Sequence, residues 1–334
     1  MDAVVTEWLR EPPYTRAKKR LKPLIMLLTV LGNVSYTKAR RTVLTAFERA
    51  MKGELGLFWM RDRCVRRTIR VYGMNDQRTS AWHAKRGEMI TASEVGQVFT
   101  GGETRRSLIV RKLSPPPAPT GFTSAPLIWG TRFECIAKEI YEKETGCTIT
   151  DVSCVQHPVY PFLGASPDGI IFPTDPKDVR RRGRLVEFKC PFSRGESEGV
   201  PDAYMHQMQM QMECTGIDEC EYAEFRFKQV FSSEWVRSTV TKGVFAVFDN
   251  DTVNYKPANA DFAEWQTKVN TLGEAQFLYW ILLSKKKVFV PKDHGWITRH
   301  IGDLQAAWDE VVLHRTAGTL PAAPPPKTLP TLDI

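Results

Sequence analysis

No two of the seven cysteines form a CxxC pair, and their number is odd. That excludes a zinc ribbon and a secreted disulfide framework, and it points to a reducing, intracellular setting. Long apolar runs are also missing: the run near the start, residues 24–31, is too short to span a bilayer and lies behind a basic cluster, so neither a secretion signal nor a membrane segment is expected. Acidic residues are scarce in the first 75 positions, where 16 Lys and Arg face 6 Asp and Glu, a balance of +10 in a chain whose total is +8. The rest of the chain is close to neutral. No internal repeat is present.

What is there divides by composition. Residues 1–75 read as a basic helical module, with a helix over 38–52 that puts Val43, Phe47 and Ala50 on one side. Its Arg16 to Arg20 cluster fits either a nuclear-import signal or a solvated helix face. Residues 76–315 alternate helical and strand patterns, as a mixed sheet flanked by helices requires, and close with helices rich in Trp and Leu between 261 and 312. The prolines at 115–117 and 119 mark an exposed connection, and residues 316–334 read as a Pro-rich, disordered tail.

Two short segments carry the chemistry. Gly164-Ala165-Ser166-Pro167-Asp168-Gly169 is a turn that runs into Ile170-Ile171-Phe172, so Asp168 stands at the start of a strand. Leu185-Val186-Glu187-Phe188-Lys189 is a second strand stopped by Pro191, with Glu187 and Lys189 on one face and Val186 and Phe188 on the other. A carboxylate and an ammonium two residues apart on one face lie about 6 to 7 Å apart at Cα, near enough to share a small site. Asp-Gly turns and Glu-x-Lys pairs are each ordinary structural features. Their conjunction is what points to chemistry. Asp168 and Glu187, with the backbone carbonyl of Phe188, offer the oxygen ligands Mg²⁺ prefers, Mn²⁺ being an expected substitute, and Lys189 can orient an attacking water.

Pro167-Asp168 followed by Glu187-Phe188-Lys189 resembles the PD-(D/E)xK nuclease superfamily. Residues 81–95, 129–134, 164–169 and 204–209 resemble, in that order, the lambda-exonuclease and YqaJ-type alkaline exonuclease family over roughly residues 80 to 230. The resemblance implies an α/β fold of mixed α+β type, a restriction-endonuclease-like core with a central mixed β-sheet flanked by helices and with helical additions at both ends. It implies an exodeoxyribonuclease that runs 5′ to 3′ on double-stranded DNA ends in phage or viral recombination, repair or genome processing, in the host nucleus or cytoplasm. A single-strand annealing protein is the partner it implies, and a homo-oligomer is compatible with it.

The resemblance also assigns roles to residues with ordinary alternatives. Thr91 to Glu94 read as a capping box that puts Ser93 in a helix's first turn, and Arg86 precedes it, a pair the family uses for the terminal 5′-phosphate. Glu134 falls early in a helix ended by Gly146, where an acid simply suits the helix dipole; the family places it at the metal site. Residues 201–215 read as a helix with Met205, Met208 and Met212 on one face, and the family brings its Gln207 to the site.

Two features depart from the family. The connection between the two strands, 177–184, is longer and more basic than a compact hairpin, which fits a solvated loop tip or a DNA contact. The basic N-terminal module is the other. The competing readings are an endonuclease of the same superfamily acting on DNA or RNA, and a non-catalytic nucleic-acid-binding recombination scaffold.

Overall fold

The computed structural model describes residues 3–323 apart from 6–16, 53, 74–76, 78, 115–123, 176–177, 179, 194 and 196–197. From residue 17 it runs through α1 (Ala17–Leu31), α2 (Tyr36–Lys52) and α3 (Glu54–Tyr72). Then come α4 (Ser80–Gly87), β1 (Ile90–Thr91), a 3₁₀ turn (Ala92–Glu94), α5 (Val95–Thr100), α6 (Gly102–Leu113) and α7 (Ala125–Thr145). The centre of the chain supplies β2 (Cys147–Thr150), β3 (Val155–Gln156), β4 (Leu163–Ala165), β5 (Gly169–Pro173), β6 (Leu185–Lys189), α8 (Asp202–Thr215) and β7 (Glu219–Val230). The chain continues through α9 (Ser232–Arg237), β8 (Lys242–Phe248), β9 (Val253–Tyr255), α10 (Phe262–Asn270), β10 (Ala275–Pro291) and α11 (Trp296–Ala317).

Seven strands form one mixed sheet in the order β2-β5-β6-β7-β10-β8-β9. The β6–β7 pair alone is parallel, so α8 is the crossover that joins them, as a parallel connection demands. Alternation along the strands divides the core between two faces. Leu185, Tyr222 and Ile170 pack with Met208 and Met212 of α8, whereas Val186, Phe188, Phe225 and Ile171 pack with Phe133 and Tyr141 of α7. The expected fold is therefore present: a mixed sheet flanked by helices, with helical additions at both ends.

Three expectations change. Residues 261–312 are not all helical, since β10 is a 17-residue strand that bridges β7 and β8 through the middle of the sheet. Its apolar run, Phe277 to Leu283, lies between paired strands on both sides, and such a continuous run carries no period to separate strand from helix. The N-terminal module is not simply appended. Val65 of α3 belongs to the main core, and buried Arg61 reaches Asp218 at 2.9 Å and Glu219 at 2.6 Å at the start of β7. A second, smaller core of Leu21, Leu24, Val43 and Phe47 holds α1 to α2; the side chain of Ala50 lies outside the described residues. The loop expected to be a solvated tip is also gripped: Arg61 donates to the Arg180 carbonyl at 3.0 Å, Arg181 to the Tyr141 hydroxyl at 2.9 Å and Arg184 to Glu219 at 2.5 Å. Gly183, at φ +80°, lies against the Arg61 side chain. At the far end, α11 runs to Ala317, and Arg106 donates to the carbonyls of Pro321 and Ala322 at 3.2 and 2.8 Å; the tail beyond 323 lies outside the described residues.

Candidate active site

The two faces of the sheet meet at the open end of β5 and β6. Asp168 stands immediately before β5, which is antiparallel to β6 with Gly169 opposite Val186. A side chain on Gly169 would collide with Ile149 of β2, so glycine lets the strands close directly beside the aspartate. The Phe188 N–H donates to Asp168 Oδ2 at 2.7 Å, which ties the acid to the strand that carries the other two groups.

Glu187 is 1% exposed on the α8 face. Burying a carboxylate is costly unless donors surround it. Lys189 Nζ and Gln207 Nε2 both donate to its Oε1 at 2.5 Å, and Gln211 Nε2 donates to Oε2 at 2.6 Å. Lys189 also lies over the Tyr204 ring, 4.8 Å from its centroid. Opposition to Glu187 and Asp168 raises the Lys189 pKa despite burial, so the amine stays an ammonium and acts as a charged donor. Burial first, then the Glu187 and Glu134 carboxylates, pushes the Asp168 carboxyl well above its ordinary range. Glu134, on α7, borders both a cleft of about 340 Å³ shared with Gln77, Lys138, Asp151 and Asp168, and an adjoining one of about 380 Å³ shared with Lys189 and Tyr204. Lys138 and Asp151 pair across the rim at 2.7 Å and cancel.

These residues fit a divalent cation. Asp168, Glu187 and Glu134 gather around the single ammonium of Lys189, and the repulsion that disfavours ionised Asp168 is what a bound cation would relieve. The donors are oxygens, the choice of a hard ion. Among the described residues no group of three or more His, Cys, Asp or Glu side chains is placed to hold a metal ion. An ion here would rest on one or two of these carboxylates, with water and substrate oxygens completing its shell.

A second cluster adjoins the first. Thr79 caps α4 by accepting the Trp82 N–H at 3.2 Å, and one turn later Arg86 stacks on the Trp82 ring at 4.3 Å. The Arg86 guanidinium donates to Ser93 Oγ at 3.1 Å, to Thr91 Oγ1 at 3.3 Å and to Ser166 Oγ at 3.4 Å. Ser166 also accepts from the Trp82 indole at 3.0 Å, and it lies two residues before Asp168. Burial lowers the Arg86 pKa and the Glu94 carboxylate opposes this. The capping box is present, with Glu94 accepting from the Thr91 N–H at 2.9 Å, but it opens a three-residue 3₁₀ turn and a six-residue α5 rather than a long helix. An anion held here would therefore be held by the guanidinium and hydroxyls rather than by a helix dipole.

All the expected side chains, Asp168, Glu187, Lys189, Glu134, Gln207, Arg86 and Ser93, come to this end of the sheet. Residue reasoning missed Gln211, Tyr204, Trp82, Thr91 and Ser166. Gln211 carried a usable signal, since it lies four residues after Gln207 and so on the same helix face; Ser166 and Trp82 are 84 residues apart and meet only in the fold.

Residues 81–218 match the YqaJ-like viral recombinase domain. That segment, about two fifths of the chain, is similar to the YqaJ-type recombinases. The matched segment runs from within α4 through α8 and includes Asp168, Glu187, Lys189, Glu134, Gln207, Arg86 and Ser93. An uncharacterized protein of Acanthamoeba polyphaga mimivirus is 27% identical over 169 residues, which cover 48% of this chain and 31% of that protein. The chain thus matches about a third of the length of its viral relative. Among solved structures, the alkaline exonuclease LHK-Exo from Laribacter hongkongensis is 23% identical at a TM-score of 0.44, covering 72% of this chain and 98% of that one. A phage-related exonuclease from Haemophilus somnus is 12% identical at a TM-score of 0.42, covering 69% and 96%. Among the described residues no helix is long and apolar enough to cross a membrane.

Proposed function

We propose that this YqaJ-type protein is a divalent-metal-dependent exodeoxyribonuclease that resects double-stranded DNA ends 5′ to 3′ during viral or phage recombination, repair or genome processing. One observation carries the reading: the carboxylates of Asp168 and Glu187, coupled to the Lys189 ammonium, adjoin an Arg86–Ser93–Ser166 cradle suited to a terminal phosphate. A cation site beside a phosphate-end site is the layout an exonuclease needs.

Asp168, Glu187 and the Phe188 backbone carbonyl are the groups that would hold Mg²⁺ or Mn²⁺, with Glu134 across the cleft. The bound ion would polarise the scissile phosphate and acidify a coordinated water. Lys189, held protonated, orients that water and steadies the charge that develops on the phosphate. Gln207 and Gln211 keep the Glu187 carboxylate in place, and the second amide hydrogen of Gln207 would serve a phosphate oxygen. Arg86 and Ser93 grip the 5′-phosphate and set the register of the first bond. Resection of this kind leaves a single strand, the substrate for an annealing protein as partner, and a homo-oligomer would be compatible with it.

The test is nucleotide release from linear duplex with Mg²⁺ and with chelator. The expected result is metal-dependent release from 5′-phosphorylated ends, lost in Asp168→Ala, Glu187→Ala and Lys189→Ala. Cleavage of circular duplex at the same rate would make the protein an endonuclease, and binding without cleavage would make it a scaffold.

A further inference from the structure

The geometry points to a duplex-DNA track along α3 that leads into the candidate active site, so that the basic N-terminal module holds the uncut DNA ahead of the reaction. This inference rests on the nuclease reading above and adds a site to it. Arg63, Arg66, Arg67 and Arg70 are all exposed and follow the spacing i, i+3, i+4, i+7, which puts them on one face of the helix. The stripe is about 10 Å long at 1.5 Å per residue. Like charges at these spacings destabilise an isolated helix. Asp62 sits beside them as a counter-charge, paired with Arg66 at 2.6 Å. A stripe kept at that cost is suited to a polyanion, whose phosphates turn the mutual repulsion into attraction.

The opposite face of α3 fixes the stripe to the body of the protein. Arg61, Val65 and Thr68 are buried, and Arg61 makes ion pairs with Asp218 and Glu219. The stripe also has a direction. Past its C-terminal end, the Tyr72 hydroxyl donates to the Gln156 carbonyl at 3.0 Å, and Lys85 lies over the Tyr72 ring, one residue before Arg86. Gln77 then donates to the carbonyl of Pro167 at 2.9 Å and lines the cleft beside Asp168 and Glu134. The helix therefore runs up to the edge of both clusters, and phosphates lying on Arg63, Arg67 and Arg70 would belong to DNA approaching them.

The experiment measures binding of the full chain to a 5′-phosphorylated linear duplex in EDTA, by fluorescence anisotropy over a range of KCl concentrations. The triple variant Arg63→Gln, Arg67→Gln, Arg70→Gln is compared with the unaltered protein; Arg66 is left in place because it pairs with Asp62. Each phosphate contact contributes roughly 0.9 to the slope of log K against log salt, so the variant should lose about 2 to 3 from that slope. The matching triple Lys variant should keep it, because the slope counts charges. An unchanged slope in the Gln variant would overturn the track, as would equal loss in the Lys variant or a loss confined to single-stranded DNA. Cleavage in Mg²⁺ is scored separately. A slope that falls in the Gln variant and not in the Lys variant, without cleavage, would sink the nuclease reading and leave the track, whereas cleavage with an unchanged slope would do the reverse.

Discussion

The two ends of the β5–β6 pair both gather charge, and they balance it differently. At the loop end, Arg61, Arg181 and Arg184 meet Asp218, Glu219 and Glu221, directly or through the Tyr141 hydroxyl, which donates to Glu221 at 2.8 Å. Three cations answer three anions there. At the cleft end, Asp168, Glu187 and Glu134 gather around Lys189, and Asp168 is held in a state that favours its proton. A balanced network in a protein interior is a lock, while a negative excess beside an open cleft is a place for a cation. The same two strands thus serve as an anchor at one end and as a ligand shell at the other.

The contrast breaks most visibly if the cleft end tolerates substitution. Asp168→Asn or Glu187→Gln should cut metal-dependent nucleotide release by roughly 10³-fold or more, a loss on the scale of removing an electrostatic contact to the transition state, with circular dichroism unchanged. The loop end should fail in the other currency. Arg61→Ala removes the buried cation that pairs with the half-buried Asp218 and Glu219 and should lower unfolding free energy by about 2 kcal/mol in urea, while the folded fraction keeps its turnover. Next in size, Arg86→Ala should remove the preference for 5′-phosphorylated over 5′-hydroxyl ends, a loss of about tenfold or somewhat more, as for a hydrogen bond to a charged group. Competing the two ends in one assay reads this directly.

A smaller effect sharpens the comparison from outside both clusters. His157 is buried, and its Nδ1 accepts the N–H groups of Val159 and Tyr160 at 3.1 and 3.0 Å. Burial, with Lys292 adding to it, lowers its pKa from 6.5 to about 4. The unfolded chain therefore takes up a proton that the folded chain refuses. Stability present above pH 6.5 should be lost as the pH falls toward about 4, and thermal melts should show His157→Gln, though less stable at neutral pH, to be flatter across that window.

Much of this was legible in the residues because the signals were local. The β-branched run after Asp168, the Glu-x-Lys alternation and the helix ended by Gly146 each state their own element, and Gly146 does cap α7 in the left-handed conformation. β10 was not legible, because a continuous apolar run reads equally as strand or helix. Ser166, Trp82 and the Arg61 grip on the 180–184 loop depend on approaches between distant segments that only the packed sheet creates. Gln211 fell between these cases: its helix was expected, but glutamines usually face water, and this one is fully buried against Glu187.

Divalent-ion binding measured by calorimetry, with no DNA present, tests the central claim most directly. The unaltered protein should bind Mg²⁺ or Mn²⁺ and melt at a higher temperature with it, and Asp168→Asn should melt higher than the unaltered protein in chelator yet gain nothing from the ion. Equal ion binding by the protein and by both Asp168→Asn and Glu187→Gln would contradict the account.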